Sequence, residues 1–289
     1  MDKNAVYQAV DNGYSSIASE AYKGSNSSQT SKSDNIAASF GYSAEDLATL
    51  PAGTNLGLSC GNPLATANLQ SSETMLDLGS GGGLDCLIAA NQMLKADPAP
   101  EGKIYGVDRS TEMMSLARRN AAKANIPDGL VEFVEAPISQ IPLADASIDL
   151  IVSNCVVNLV PDEDKPSVFN EIYRLLKPGG RVAISDLLAL KPMPDEVRKD
   201  AALLIGCVAG ASLVDEYRSW MVQAGFEESG VAFVNTNKDL NVYHSQVAEI
   251  SCCASKRPCG AADRRGDVDE LDFNAWVAAY QIYAVKGTH

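Results

Sequence analysis

Near the start of the chain, Val6, Ala9, Val10, Tyr14, Ile17 and Ala18 recur at helical spacing within residues 1–22. They predict an amphipathic helix, read either as packing or as a lid over a site. The polar run Lys23-Gly-Ser-Asn-Ser-Ser-Gln-Thr-Ser-Lys-Ser33 has no apolar period and predicts a mobile loop. Ser43-Ala-Glu-Asp-Leu-Ala-Thr-Leu50 opens with a capping serine and acids in its first turn, so a short helix is expected, stopped by Pro51 and Gly53. A loop over 56–63 then leads into a short helix near 64–69. From Thr74 onward short apolar runs at 74–78, 103–108, 131–135, 148–153 and 180–187 alternate with helical patterns, notably at 110–125 and 165–177. The second of these helices should end at Pro178-Gly179-Gly180. Such alternation implies a parallel sheet covered on both faces. Residues 194–220 are helical in pattern but broken at Gly206-Cys-Val-Ala-Gly210. Two strands, 230–235 and 279–285, should close the chain, with Cys252, Cys253 and Cys259 on a polar loop between them.

The stretch Thr74-Met-Leu-Asp-Leu-Gly-Ser-Gly-Gly-Gly-Leu-Asp85 joins the first of these strands to a helix through a glycine-rich turn. Glycine is required where the backbone takes positive φ or where a ligand must lie against the main chain. The helix start offers unpaired N–H groups to the same place. Strand, turn and helix together outline a nucleotide-binding element. The spacing Gly79-x-Gly81-x-Gly83 does not say which nucleotide, because dehydrogenases use a similar turn. Asp77, beside the glycines, would repel a pyrophosphate but suits the ammonium of an amino-acid moiety. Asp108 ends the next strand, where a carboxylate accepts from two ribose hydroxyls or, alternatively, caps the following helix.

Composition narrows the partners. The 289 residues and 46% hydrophobic content can bury a sizeable core. A formal net charge of −14 argues against a nucleic-acid partner and fits a solubilising surface. No signal-peptide pattern opens the chain and no apolar run is long enough for a membrane span, so a cytoplasmic protein is expected. The seven cysteines are then expected as reduced thiols, to be explained by packing or by chemistry.

Leu76-Asp-Leu-Gly-Ser-Gly-Gly-Gly83, Gly106-Val-Asp108 and Leu176-Lys-Pro-Gly-Gly180, in that order, resemble class I S-adenosylmethionine-dependent methyltransferases. The resemblance implies a Rossmann-like α/β fold, a seven-stranded sheet with helices on both faces and an antiparallel last strand. It implies that Asp77, Gly79, Ser80 and Gly81 face the methionine part of the donor and Asp108 the ribose. Met113 would pack near the adenine, Ala136 and Ile138 would flank it, and Asn154 would lie at the donor's edge. It also divides the chain into an N-terminal lid and serine-rich loop (1–55), a donor-binding core (56–190), and a substrate-side insertion with closing strands and the cysteine-containing loop (191–289).

Three cysteines fall where a substrate would approach such a sheet, outside the carboxyl ends of its strands. Cys60 precedes the first strand, Cys155 follows the fourth, and Cys207 sits in the glycine break of the insertion. Any one of them alone reads more readily as a buried inert thiol. Gly57-Leu-Ser-Cys-Gly-Asn-Pro63, Ser153-Asn-Cys-Val-Val-Asn-Leu-Val-Pro161 and Ile205-Gly-Cys-Val-Ala-Gly-Ala211 are similar to the three thiol segments of arsenite methyltransferases. That resemblance implies trivalent arsenic held by Cys60, Cys155 and Cys207, in keeping with the thiolate preference of soft centres. The implied reaction is in-line attack of the arsenic lone pair on the donor methyl, with no general base. The protein's contribution would be proximity and orientation.

Each transfer formally oxidises arsenic, so a thiol reductant, glutathione or thioredoxin, is the expected electron source. Many members of that family carry a further cysteine that pairs with the counterpart of Cys60. No cysteine precedes Cys60 here, which points either to a monomethylated substrate or to reliance on external thiols. Cys252, Cys253 and Cys259 are candidates to collect metalloid or resolve an oxidised partner, or are incidental thiols on an exposed loop. Cys86 reads as core, Asn158 as a turn cap, Trp220 and Phe226 as packing, and Glu112 and Asp128 as solvated charges. A monomer is the expected state. The rival readings are a small-molecule C- or O-methyltransferase of the ubiquinone-biosynthesis type, which needs no thiols, and a thiol-based metal-binding or redox protein. The paired C-x-x-C ligands that would favour the latter are absent.

Overall fold

The structure is a computed structural model that describes residues 2–23, 27–97, 99–243 and 272–288. Seven strands form one sheet in the order β3-β2-β1-β4-β5-β7-β6. They are β1 (Thr74–Leu78), β2 (Lys103–Asp108), β3 (Val131–Glu135), β4 (Ile148–Asn154), β5 (Leu176–Ala189), β6 (Ala232–Asn235) and β7 (Val277–Val285). Strands β1 to β5 pair in parallel, and β7 runs antiparallel to both β5 and β6. This is the expected seven-stranded arrangement. The strand order reverses between β1 and β4, which opens a crevice at their carboxyl ends.

The central strands are apolar on both faces because helices cover both. Leu76, Leu78, Ile151, Ile184 and Phe169 belong to one core cluster, and Met75, Ile88, Ile104, Leu150 and Val152 to another. Helices α5 (Leu84–Ala96), α6 (Thr111–Lys123) and α7 (Lys165–Leu175) alternate with the strands. Helix α6 starts one residue later than the pattern suggests, because Ser110 is its cap and accepts from the Met113 N–H at 3.2 Å. Gly180 belongs to β5 rather than to a free turn. A Cβ there would lie 2.9–3.2 Å from the carbonyl oxygens of Lys177, Ile148 and Asp149.

The N-terminal pattern forms α1 (Lys3–Lys23), followed by α2 (Ser27–Ser39), α3 (Ala44–Ala48) and α4 (Leu64–Ala67). Helix α2 overturns the loop expected through Ser33. The Ser-rich half has no apolar face of its own. Further along, Ala37 is fully buried and Phe40 stacks on Tyr243 with centroids 5.3 Å apart, so tertiary packing at its end holds the helix. The insertion supplies α8 (Asp195–Arg198), α9 (Ala201–Ile205) and α10 (Val214–Ala224), with the expected break at Gly206–Gly210. Helix α1 packs on both α6 and α9, and so lies across the crevice. Cys252, Cys253 and Cys259 lie outside the described residues. Among the described residues no helix is long and apolar enough to cross a membrane.

Candidate active site

One cavity fills the crevice, and its two walls differ in chemistry. The first is built by the turn after β1. Gly79 has φ +68°, and a Cβ there would run into the Val156 side chain, so only glycine brings β1 this close to the end of β4. Asp77, Gly79, Ser80 and Gly81 all line the cavity, with Asp85 from the first turn of α5. Burial pushes the Asp77 carboxyl well above the usual range, and the Asp85 charge adds to the effect. It accepts from the Cys86 thiol at 3.4 Å. Asp85 is pushed up to about 6 by burial, while the Tyr42 hydroxyl, 2.8 Å away, partly offsets that rise. Asp108, at the end of β2, accepts from the N–H groups of Gly81 (3.1 Å) and Ser110 (2.9 Å), which ties the glycine turn to the next strand.

Thr54 and Ser80 also line this cavity, and their hydroxyl oxygens are buried without a hydrogen-bond partner. Unpaired buried hydroxyls are costly, so their presence on a cavity wall marks places for ligand polar atoms. Ile138 lines the cavity as well, and so does Asn154. Met113 and Ala136 do not. Met113 is fully buried in a cluster with Ala18, Ala21 and Leu116, and Ala136 lies in the sheet core, its N–H donating to the Asp108 carbonyl at 3.0 Å.

The second wall carries the thiols. Cys155 follows β4 directly and takes φ +57°, and Cys207 in the insertion takes φ +63°. Both are unusual for non-glycine residues, and such positions cluster at functional sites. Cys60, from the loop before β1, is disulfide-bonded to Cys155, with Cα atoms 6.1 Å apart. This corrects the expectation of reduced thiols for these two cysteines, and it gives Cys60 a partner across the site rather than an N-terminal one. Cys207 is a free thiol donating to the Cys155 carbonyl at 2.7 Å. Cys60, Cys155 and Cys207 thus meet at the end of β4, although of the three only Cys155 faces the cavity.

Residues that the sequence reading passed over hold this wall together. Asp186, inside the apolar run of β5, is fully buried with its carboxylate within 4.8 Å of the Cys60 and Cys155 sulfurs. Burial pushes it up to about 7, against hydrogen bonds from the Leu187 N–H, Tyr217 and Asn158. Asn158 is no simple turn cap: its amide nitrogen also faces the carbonyls of Leu187 (2.6 Å) and Cys207 (3.2 Å). Lys165 is buried and donates to Asp162, the Gly210 carbonyl and Ser212, pinning the segment after Cys207 to α7. An acid within a strand that is otherwise apolar was the one available signal for Asp186.

Helix α1 closes the front. Tyr7, Val10, Asp11 and Tyr14 line the cavity, Asp11 pairs with Arg109 at 3.1 Å, and Arg109 lies over the Tyr7 ring. Tyr7 and Lys3 both donate to Asp164 at the start of α7.

A parallel sheet with one reversed strand, and a carboxylate-lined cavity at its switch point, define a class I methyltransferase fold. The methyltransferase-domain family model matches residues 69–225, and the chain belongs to that family. Among individual proteins it is 47% identical over 193 residues to an arsenite methyltransferase of Halobacterium salinarum, covering 67% of this chain and 47% of the relative. It is 38% identical over 184 residues to an arsenite methyltransferase of Aquipseudomonas alcaligenes, covering 61% and 49%. The chain therefore spans about half the length of these relatives. In fold it is similar to an arsenic(III) S-adenosylmethionine methyltransferase from Chlamydomonas reinhardtii, with a TM-score of 0.53, 24% identity, and coverage of 87% and 73%.

Proposed function

We propose that this protein transfers the methyl group of S-adenosylmethionine to thiolate-bound trivalent arsenic, inorganic or monomethylated. The observation that carries the reading is the gathering of Cys60, Cys155 and Cys207 beside a cavity whose other wall is lined with acids. The curated names of the relatives above support it.

S-adenosylmethionine supplies an electrophilic methyl group on a sulfonium. The carboxylates of Asp77 and Asp85 suit its ammonium, Asp108 suits the ribose hydroxyls, and the unpaired Thr54 and Ser80 hydroxyls offer further polar contacts. Gly79, Gly81 and Asn154 complete the frame, and Ile138 provides an apolar surface. On the thiol wall, reduction by glutathione or thioredoxin opens the Cys60–Cys155 bond, two external thiols becoming one disulfide. The freed thiolates and Cys207 then hold arsenic with its lone pair towards the cavity. Methylation raises arsenic formally from the trivalent to the pentavalent state. Return to the trivalent state takes two electrons, and two thiolates closing to a disulfide supply them. The Cys60–Cys155 bond has the form of that spent state. Burial pushes the Cys207 thiol well above its ordinary range, so a bound soft cation-like centre is what would draw it into the thiolate form. The physiological setting of the reading is arsenic detoxification in the cytoplasm.

The test is an assay of reduced protein with glutathione and S-adenosylmethionine against arsenite and against its monomethyl form. Methylated arsenic is expected from at least one. Absence of product from both would falsify the reading.

A further inference from the structure

Asn154 is where the two walls of the cavity touch. Its side-chain carbonyl accepts from the Cys60 N–H at 3.1 Å, and its amide nitrogen donates to the Gly61 carbonyl at 2.7 Å. One side-chain amide therefore holds the peptide groups on either side of the Cys60–Gly61 peptide. The remaining amide proton goes to the Tyr42 hydroxyl at 2.8 Å, and Tyr42 donates its single proton to Asp85, also at 2.8 Å. Tyr42 is 3% exposed and lies behind the cavity wall, so its hydroxyl has no bulk water as an alternative partner.

Proton count gives the chain a direction. An ionised Asp85 only accepts, so Tyr42 must donate to it and can offer Asn154 only a lone pair. That agrees with the orientation that the Cys60 N–H and the Gly61 carbonyl impose on the Asn154 amide, so every link of the chain points the same way. A neutral Asp85 accepts less strongly and loosens the Tyr42 end of the chain. Asp85 and Asp77 lie on the cavity wall together, and no cationic side chain is among the groups that act on either. A cation that offsets the burial of the Asp85 charge has to arrive with a ligand.

We propose that Tyr42 is a positioning residue that couples the two sides of the cavity: a ligand cation against Asp85 orders the chain Asp85–Tyr42–Asn154, and that order sets the Cys60–Gly61 peptide for arsenic. The proposal rests on the methyl donor inferred above, whose ammonium is the cation. Coupling of this kind is reciprocal, so arsenic bound at Cys60 also tightens the donor site. It gives the thiol loop its binding geometry only when a methyl donor is present to use it.

The Cys60 amide is the last link, and its hydrogen exchange reads the chain directly. The experiment is exchange with mass-spectrometric detection on the reduced full chain, alone, with S-adenosylhomocysteine, and with 5′-methylthioadenosine, which lacks the amino-acid part. Homocysteine-bearing ligand should slow exchange of the segment containing Cys60 about tenfold, and methylthioadenosine less than about twofold. Tyr42→Phe removes one hydroxyl outside the cavity lining. It should bind S-adenosylhomocysteine within about threefold of the parent and lose the protection. Equal protection by both ligands, or undiminished protection in Tyr42→Phe, overturns the proposal while leaving the methyl-donor reading intact. Failure of S-adenosylhomocysteine to bind overturns that reading and the proposal with it. Should Tyr42→Phe not fold, the two-ligand comparison on the unaltered chain decides alone.

Discussion

The carboxylate wall and the thiol wall sit at adjacent strand ends, yet they are in different states. The first is complete as it stands: Asp108 locks the glycine turn, Asp77 and Asp85 line open space, and two hydroxyls await partners. The second is closed. Its sulfurs are buried, two of them are bonded to each other, and the third is hydrogen-bonded to a backbone carbonyl. A wall made of backbone geometry and carboxylates is ready for reversible binding. A wall made of sulfur depends on its electron count, so its readiness is a matter of redox state and not of folding alone.

Removing a thiol should break the comparison most severely. Cys155→Ser and Cys207→Ser are each expected to lower arsenic methylation by about a thousandfold or more, since placement of the reacting atom is lost. S-adenosylhomocysteine binding, followed by calorimetry, should stay within about threefold. A C- or O-methyltransferase would instead keep its activity in both variants. The converse change is smaller. Asp108→Ala removes a charged acceptor and releases the Gly81 N–H, and should weaken S-adenosylhomocysteine binding about 10- to 100-fold. The rate at which reduced Cys60 and Cys155 react with an alkylating reagent should be unchanged, read by peptide mapping. If Asp108→Ala also alters that rate, the two walls are not separable at this residue.

The same contrast explains what the amino-acid sequence could reveal. On the carboxylate wall each residue has a local reason, a positive φ or a strand-end carboxylate, and local reasons leave motifs. Cys155 and Cys207 were visible because they follow a strand and interrupt a helix. The Cys60–Cys155 bond was not: the two are 95 positions apart, and pairing across that span is decided by the sheet. Met113 on the buried face of α6 packs with Ala18 and Ala21 of α1, a contact between segments distant in the chain. Asn158, Lys165 and Tyr42 act through contacts with distant segments, which no pattern along the chain encodes. Helix α2 forms through packing at its far end, which its Ser-rich half does not announce.

Asp186 offers the gentlest and sharpest test of how the thiol wall is charged. Its carboxyl is raised by burial to about 7 from the usual carboxylate value, so between about pH 4 and 7 the folded protein holds a proton that the unfolded chain has lost. Holding that extra proton means stability is full at the acid end and falls as pH rises through the folded value. Asn cannot titrate and keeps an acceptor oxygen for Tyr217 or for the Leu187 N–H. The oxidised parent should therefore lose stability relative to Asp186→Asn by about 1.4 kcal/mol for each pH unit across that window. Urea unfolding at several pH values measures the difference directly. A flat difference would mean that Asp186 is ionised throughout, with a full negative charge beside the sulfurs. A falling one means that near neutrality the acid gives up its charge, and the thiolates that bind arsenic form without a buried anion repelling them.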